Sequence, residues 1–341
     1  MRRAVSGSAG IRDVARAAGV SVATASRVMA RADYPVAEPT RQRVLAAAQA
    51  LSFVPNALAR GLARARTETI GVVVPWLANP YYAGMTEAID GAARDRGLTM
   101  LLGLTGGDER RRESIIDELI GRRVDGIVIC AGTDDHLAGR APDALGVPAV
   151  LIGAQANAGF PMVQTDNRRA GYEAARHLWS LGHRSCLYLT GLPTWHDFHA
   201  RGEGMRAFLA EAGAPAALEV CDGLLDEADA YRFVREACAE GISATAIVAS
   251  TDRHALGALA ALSDAGHEVP GRISVMGFDD YVSSGYLRPA LTTMQIPAAQ
   301  MGRRAIGLLV ERIEGRAVSD ETLFDATLIA RASTGPAPHA G

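Results

Sequence analysis

The side chains of this chain that can do chemistry fall into sets suited to contact. No Ser-His-Asp or Cys-His constellation emerges to break bonds, so an enzyme is not expected. "WLANPYYAGM" carries Asn79, Tyr81 and Tyr82, and "HARGEGM" carries Arg201. "ASTDRHALG" carries Thr251, Asp252 and Arg253, "GFDDY" carries Phe278, Asp279 and Asp280, and Asp166 lies in "VQTDNRRAG". A guanidinium fork and carboxylates orient a polyol or a nucleobase by paired hydrogen bonds, and flat rings stack on it. A second set sits in "GVSVATASRVM". There Ser21, Thr24 and Ser26 can donate to phosphates, Arg27 can reach a phosphate or a guanine edge, and Val22 and Ala23 can touch thymine methyls.

Other candidates are weaker. In "WHDFH", His196 and His199 flank a carboxylate, but no third ligand follows at a suitable interval, so a cleft-rim loop is expected and no metal. "TGGDERRRES" lacks the G-K-[ST] ending of a phosphate loop and reads as a solvated helix start. His183 in "LGHRS" is placed at the start of a strand. The four cysteines are scattered without a C-x-x-C pair, which favours free thiols over a disulfide or metal site. No cofactor motif is present.

The elements that must position these groups are of two kinds. "IRDVARAAGVSVATASRVMA" has the spacing of two short helices around a tight turn, with Ile11, Val14, Ala15 and Ala18 on one apolar face. Gly19 can take the positive φ of the turn, and Ser21 can cap the next helix. In that helix Ala25, Val28 and Met29 point inward, leaving Val22, Ala23, Ser26 and Arg27 outside. "EPTRQRVLAAAQALSF" adds a third helix with Pro39 near its start and Val44, Leu45, Ala48 and Leu51 on the buried side. This is a helix-turn-helix head.

From "TETIGVVVPW" onward, short β-branched runs alternate with amphipathic helical stretches. Strands are expected at 70–75, 98–104, 124–130, 147–153, 185–191, 245–250 and 273–278, which argues for parallel doubly wound sheets in two lobes. Ligands of such sheets sit beyond the strand C-termini. "VQTDNRRAGYEAARHL" would cross between lobes and "TTMQIPAAQ" would return the chain to the first.

Charge separates head from body. Residues 1–66 hold 11 arginines against three acids, a net +8, while the whole chain is −3 and contains no lysine. A basic head on an acidic body indicates that the head meets a polyanion. No apolar run is long enough to span a bilayer and "MRRAVSGSAG" has no apolar core, so a cytoplasmic location is expected.

"IRDVARAAGVSVATASRVM", continued by "TRQRVLAAAQALSFVPNALARGLA", resembles the head of the lactose-repressor/galactose-repressor family almost residue for residue, and the likeness runs on through the body. Ala25 departs from the valine usual there. The resemblance implies that Val22 and Ala23 read bases. It also implies that "PNALARGLA" is a hinge helix entering the minor groove, with Asn56, Ala59 and Arg60 at the DNA and Leu62 wedged between base pairs. So short a helix with Gly61 inside would order only on DNA. In the body the resemblance implies periplasmic-binding-protein-like lobes and an effector site with Tyr81, Tyr82, Asp166, Arg201, Leu225, Thr251 and Asp279. Leu225 stands where several members carry a stacking aromatic, and Thr251 where asparagine is frequent.

The expected organisation is a helix-turn-helix domain at 1–54, a hinge at 55–66, a two-lobed effector and dimerisation domain at 67–335 and a tail at 336–341. The lobes would comprise 67–166 with 297–324, and 167–294 with 325–335. The expected function is a ligand-responsive transcription regulator, a repressor in the first instance. It would bind a pseudo-palindromic duplex operator as a homodimer and hold a sugar-like or nucleobase-like effector between its lobes. No heptad tail follows "RASTGPAPHAG", which argues against a tetramer built on a coiled coil. The rival reading is a sugar-binding or sugar-processing protein with no DNA role, which the body alone would permit and the basic head opposes.

Overall fold

The computed structural model describes residues 9–29, 35–53, 66–130, 142–153, 159–193 and 195–338. The chain divides into two compact units, Met1–Glu68 and Thr69–Gly341. The expected hinge, with Asn56, Ala59, Arg60 and Leu62, lies outside the described residues.

In the first unit, α1 (Ile11–Ala18), α2 (Val22–Met29) and α3 (Glu38–Ala50) enclose a small core of Val14, Ala15, Ala18, Ala25, Val28, Val44 and Ala48. Asp13 folds back onto the Gly10 amide at 3.0 Å to start α1, and Gly19 at φ 64 stops it. The Ser21 hydroxyl accepts the Thr24 amide at 3.1 Å and so caps α2. One expectation fails: Leu45 is 48% exposed on α3, because the inward stripe of that helix runs through Val44 and Ala48 instead. Leu51 and Phe53 close the bottom of the core.

The second unit contains two six-stranded sheets of matching order. The first joins β1 (Thr69–Val74), β2 (Thr99–Leu104), β3 (Gly126–Cys130), β4 (Ala149–Ile152), β5 (Met162–Thr165) and β11 (Glu321–Phe324) in the order β11-β5-β4-β3-β1-β2. The second joins β6 (Cys186–Leu189), β7 (Leu218–Cys221), β8 (Ala246–Ala249), β9 (Ser274–Asp279), β10 (Thr292–Gln295) and β12 (Thr327–Ile329) in the order β12-β10-β9-β8-β6-β7. Pairing is parallel, for example Val72 with Leu102 and Val128, except at β12, where Leu328 runs antiparallel against Met294. In both sheets the order reverses beside the first strand, at β1/β3 and at β6/β8, leaving a crevice at the strand ends.

Helices cover the sheets. The first sheet carries α4 (Pro80–Arg94), α5 (Glu109–Gly121) and α10 (Ala298–Ile313), and the second carries α6 (Asn167–Ser180), α7 (His196–Glu211), α8 (Glu227–Glu240) and α9 (Asp252–Asp264). After β10 the chain does return to pack α10 on β3, β4 and β5. Asp108 caps α5 through the Arg111 amide at 3.0 Å, as a solvated helix start requires. One buried apolar cluster runs through both sheets, from Val72, Met85 and Ile89 to Tyr188, Met205 and Phe278. His183 does not open a strand. Its ring is buried and ties three segments together through Thr245 at 2.9 Å, Ser274 at 3.0 Å and the Gly335 carbonyl at 3.1 Å. The histidines of "WHDFH" lie on the first turn of α7, not on a loop, and His199 pairs with Glu203 at 3.3 Å. Among the described residues no group of three or more metal-binding side chains gathers.

Candidate DNA-contact face and interlobe cleft

The outer face of α2 is built from small residues. Ser21, Val22, Ala23, Ser26 and Arg27 are exposed, Thr24 is half-buried, and Ala25 and Val28 face the core. Val22 shows 45% of its surface. The Thr24 hydroxyl lies 2.8 Å from that of Ser21, so the two act together at the start of the helix. A helix whose N-terminal turn carries only short side chains can bring its backbone close to base edges.

In the second unit the loops after β1, β6, β7 and β8 converge. Trp76, Asn79 and Tyr82 come from the first sheet, and Trp195, Phe198, Leu225, Asp226, Thr251, Arg253 and His254 from the second. Together they line a cavity of about 370 Å³. A larger cavity of about 620 Å³ lies against Tyr81, Asp279, Tyr281, Gln295 and Arg303. The Tyr281 hydroxyl joins the walls of the two, 2.9 Å from Asn79 Oδ1 and 2.7 Å from Asp279 Oδ2.

The expected effector residues therefore separate. Tyr82, Leu225 and Thr251 share the first cavity, and Tyr81 and Asp279 share the second. Arg201 lines neither. Only 4% exposed, it donates from Nε to Asn167 Oδ1 at 2.8 Å and from Nη1 to the Ser250 carbonyl, with its guanidinium 4.6 Å from the Phe278 ring. Asn167 in turn donates to Asp197 Oδ1 at 2.8 Å. Asp166 lines neither cavity and caps α6, accepting the Arg169 amide at 2.8 Å. Thr251 caps α9, accepting the His254 amide at 3.3 Å. Asp252 braces the turn after β9 through the Tyr281 amide, the Ser284 hydroxyl and the Thr293 hydroxyl. Asp280 braces it from outside, accepting from Arg331 at 2.6 Å and Gln295 at 2.8 Å.

Burial sets the charge states. Asp279 is pushed up to about 7 by loss of water, against the pull of Arg201. Burial raises Asp252 to about 6, although three hydrogen bonds favour its ionised form. His254 is lowered to about 4 by burial and by neighbouring Arg253, so it is neutral at pH 7 and turns Nδ1 to the Ser250 hydroxyl at 3.0 Å. Asp279 and Asp280 both hold positive φ, 112° and 60°, conformations that cost a non-glycine residue energy and persist only where the surroundings enforce them.

Sequence reasoning missed Trp76, Trp195, Phe198 and His254 as cleft residues. Trp76 had a signal, since it follows "GVVVP" at the end of a strand. Trp195 and Phe198 lie inside "WHDFH", a stretch whose expected place at the cleft rim does not tell which of its side chains line the cavity.

A three-helix head with a small-residue contact helix, in one chain with two parallel-sheet lobes around a ligand-sized crevice, defines the class of DNA-binding regulators that carry a small-molecule domain. Comparison with known proteins agrees. Residues 10–56 match the family described as bacterial regulatory proteins, lacI family, and residues 175–334 match the periplasmic binding protein-like domain. The transcriptional regulator GalR of Escherichia coli is 35% identical over 329 residues, covering 95% of each chain. The transcriptional repressor PurR of Erwinia tasmaniensis is 31% identical, covering 96% of this chain and 98% of its own. The lac repressor dimer bound to operator and the anti-inducer ONPF superposes with a TM-score of 0.88 at 27% identity, covering 96% of this chain and 100% of that one. The chain belongs to the lacI family of bacterial regulatory proteins: it is a DNA-binding transcriptional regulator of that kind.

Proposed function

We propose that this regulator is a repressor that binds a pseudo-palindromic operator as a homodimer and answers to a small sugar-like or nucleobase-like effector held between its lobes. It has no catalytic role and, like DNA-binding regulators of its family, works in the cytoplasm. No helix among the described residues is long and apolar enough to cross a membrane. The observation that carries the reading is the outward face of α2, where Ser21, Val22, Ala23, Ser26 and Arg27 are all exposed. Val22 and Ala23 read base edges, Ser21, Thr24 and Ser26 hold phosphates, and Arg27 reaches a phosphate or a guanine. Asn56, Ala59, Arg60 and Leu62 are assigned to minor-groove contact on family likeness. Two heads on a two-fold dimer call for a two-fold operator.

The cleft supplies control. Tyr81, Tyr82, Leu225, Thr251 and Asp279 contact the effector, Arg201 holds the wall behind it, and Asp166 marks the crossover between lobes. Solved neighbours with bound ribose, at a TM-score of 0.71 and 27% identity, and in complex with cellobiose, at 0.70 and 29%, support a small-molecule role for this crevice. An effector shifts DNA affinity only by its preference for one lobe arrangement; a 100-fold preference is worth about 2.7 kcal/mol. The test is selection of duplexes from a random pool, followed by anisotropy titrations across salt. Enriched sites with two-fold symmetry, bound by two chains with a steep salt slope, are expected. Enrichment of asymmetric sites would remove the dimer, and no binding at any salt would leave only the ligand-binding reading.

A further inference from the structure

We infer that the Tyr281 hydroxyl is a latch between the two lobes, closed while the Asp279 carboxyl carries a proton and opened when that proton leaves. The latch works in the free chain, whatever the cleft binds.

One hydrogen serves two neighbours. The Tyr281 hydroxyl has a single hydrogen to give. Asn79 Oδ1 of the first lobe lies 2.9 Å away, and Asp279 Oδ2 of its own lobe lies 2.7 Å away. The orientation of the Asn79 amide is fixed, because the Tyr81 amide donates to the same Oδ1 at 3.0 Å in the cap that starts α4. An amide nitrogen could not accept there, so Asn79 faces Tyr281 with an oxygen. The bond across the lobes therefore needs the phenol hydrogen. The contact with Asp279 then needs a hydrogen on the carboxyl, donated to the phenol oxygen. Protonated Asp279 completes the relay from Asp279 to Tyr281 to Asn79. Ionised Asp279 is the nearer acceptor and a charged one, and it takes the phenol hydrogen for itself. Its own proton goes to water, and Tyr281 and Asn79 are left as two oxygens with no hydrogen between them. That contact repels, and the lobes lose the bond.

The turn that carries Tyr281 leaves it no easy escape. The side chain is 9% exposed, and its backbone amide donates to Asp252 Oδ2 at 3.1 Å. Asp279 and Asp280 lead into it at φ of 112° and 60°, a costly path that the surroundings enforce. Asp280 is itself tied to Arg331 and Gln295.

The groups around the carboxyl let its proton come and go near neutral pH. Loss of water raises Asp279 to about 7, with Arg201 of α7 pulling down and Asp252 of α9 and Asp197 of α7 pushing up. From α4, Tyr81 and Tyr82 face it with phenols that burial keeps neutral. From α10, Arg303 shares with it the cavity of about 620 Å³, which gives the proton a way to water. Burial, and then the Asp279 charge, push the Tyr281 phenol well above its ordinary range, so it keeps its hydrogen throughout. The closed arrangement holds the Asp279 proton more tightly than the open one. Falling pH therefore favours closure, and a proton acts on lobe geometry as a small ligand would.

The test reads the lobe junction without any ligand. Trp76 of the first lobe and Trp195 of the second stand 6.3 Å apart between centroids, and the third tryptophan, Trp179, stacks on Arg184 elsewhere. The full chain carrying Trp179→Phe therefore reports on the junction by tryptophan emission, followed from pH 5 to pH 9. A transition centred near 7 is expected. Asp279→Asn, whose amide can donate to the phenol oxygen at every pH, should lose that transition and keep the low-pH emission. Tyr281→Phe keeps the titrating carboxyl but not the latch, and should show the high-pH emission at every pH. A transition that survives in Asp279→Asn belongs to another group, such as His196 beside Trp195, and overturns the latch. So does one that survives in Tyr281→Phe, since the carboxyl would then act without the phenol. A wild-type emission that stays flat from pH 5 to pH 9 overturns it as well.

Discussion

Gly171 of α6 and Arg201 of α7 meet backbone to backbone: a Cβ at 171 would stand 1.9 Å from the Arg201 carbonyl oxygen. Gly204 repeats the contact one turn on, where a Cβ would lie 1.8 Å from the Arg168 carbonyl. The two helices cross on these glycines, and the crossing fixes the height at which Arg201 enters the wall. Gly171→Ala must therefore force α6 and α7 apart. It should cost about 3 kcal/mol, at the upper end for overpacking, and lower the melting temperature by about 6–12 °C. Calorimetry or circular dichroism on the full chain checks this, and an unchanged melting temperature would show that the helices slide freely.

Removing the Arg201 side chain tests what the crossing is for. The guanidinium satisfies Asn167 Oδ1 and the Ser250 carbonyl and tempers the buried charge of Asp279. Arg201→Ala leaves those acceptors unmet in the wall of the effector site. The expected outcome is loss of any effector-dependent change in DNA affinity, with effector-free DNA affinity within about twofold of wild type, since local changes away from the DNA face leave its contacts intact. Mobility shifts with and without effector measure both quantities. A retained effector response would remove Arg201 from the site.

The parts legible in the sequence are those where one period dominates. Val14, Ala15 and Ala18 repeat at helical spacing, and "IGVVVP" is too short and too β-branched to be a helix, so both were placed correctly. Strands β5, β7, β10, β11 and β12 have no such signal. They are short and lie towards the sheet edges, and Glu321 and Glu219 interrupt any apolar run. At the cleft, the family resemblance points to Tyr82, Thr251 and Asp279, which do line cavities, but it does not reveal that two cavities divide them. It also could not show that Asp166 and Thr251 spend their oxygens on helix caps, because capping depends on which residue turns out to be the first helical one.

The buried carboxylates give a pH signature whose sign can be worked out. An unfolded aspartate titrates near 3.9. Asp279 is raised to about 7 and Asp252 to about 6, so between about 4 and 7 the folded chain holds more protons than the unfolded one. Their contribution to stability falls as pH rises through that window. His254, lowered to about 4, works the other way between about 4 and 6.5, where the unfolded chain binds the extra proton. The clean measurement is a difference. Asp279→Asn should melt close to wild type near pH 3.5, where the aspartate is neutral in the folded and the unfolded chain alike, and a few degrees higher, about 2–6 °C, at pH 8. A difference that does not change between the two pH values would mean that Asp279 ionises as freely as in water.

The last prediction separates reading from holding on α2. Val22 and Arg27 are both exposed, but an apolar side chain and a guanidinium do different work on a duplex. If Val22 touches a thymine methyl, Val22→Ala should cost about 1–3 kcal/mol on the selected operator, roughly the value of one base pair, and almost nothing on random duplex. If Arg27 holds a phosphate, Arg27→Ala should weaken operator and random duplex alike and reduce the salt slope by about one unit per subunit. If instead it reaches a guanine edge, the loss falls on the operator alone and specificity relaxes at one position of each half-site. Titrations of both variants on both duplexes at several salt concentrations distinguish the cases. Equal losses for Val22→Ala on operator and random duplex would take base reading away from the start of α2, leaving the helix as an anchor.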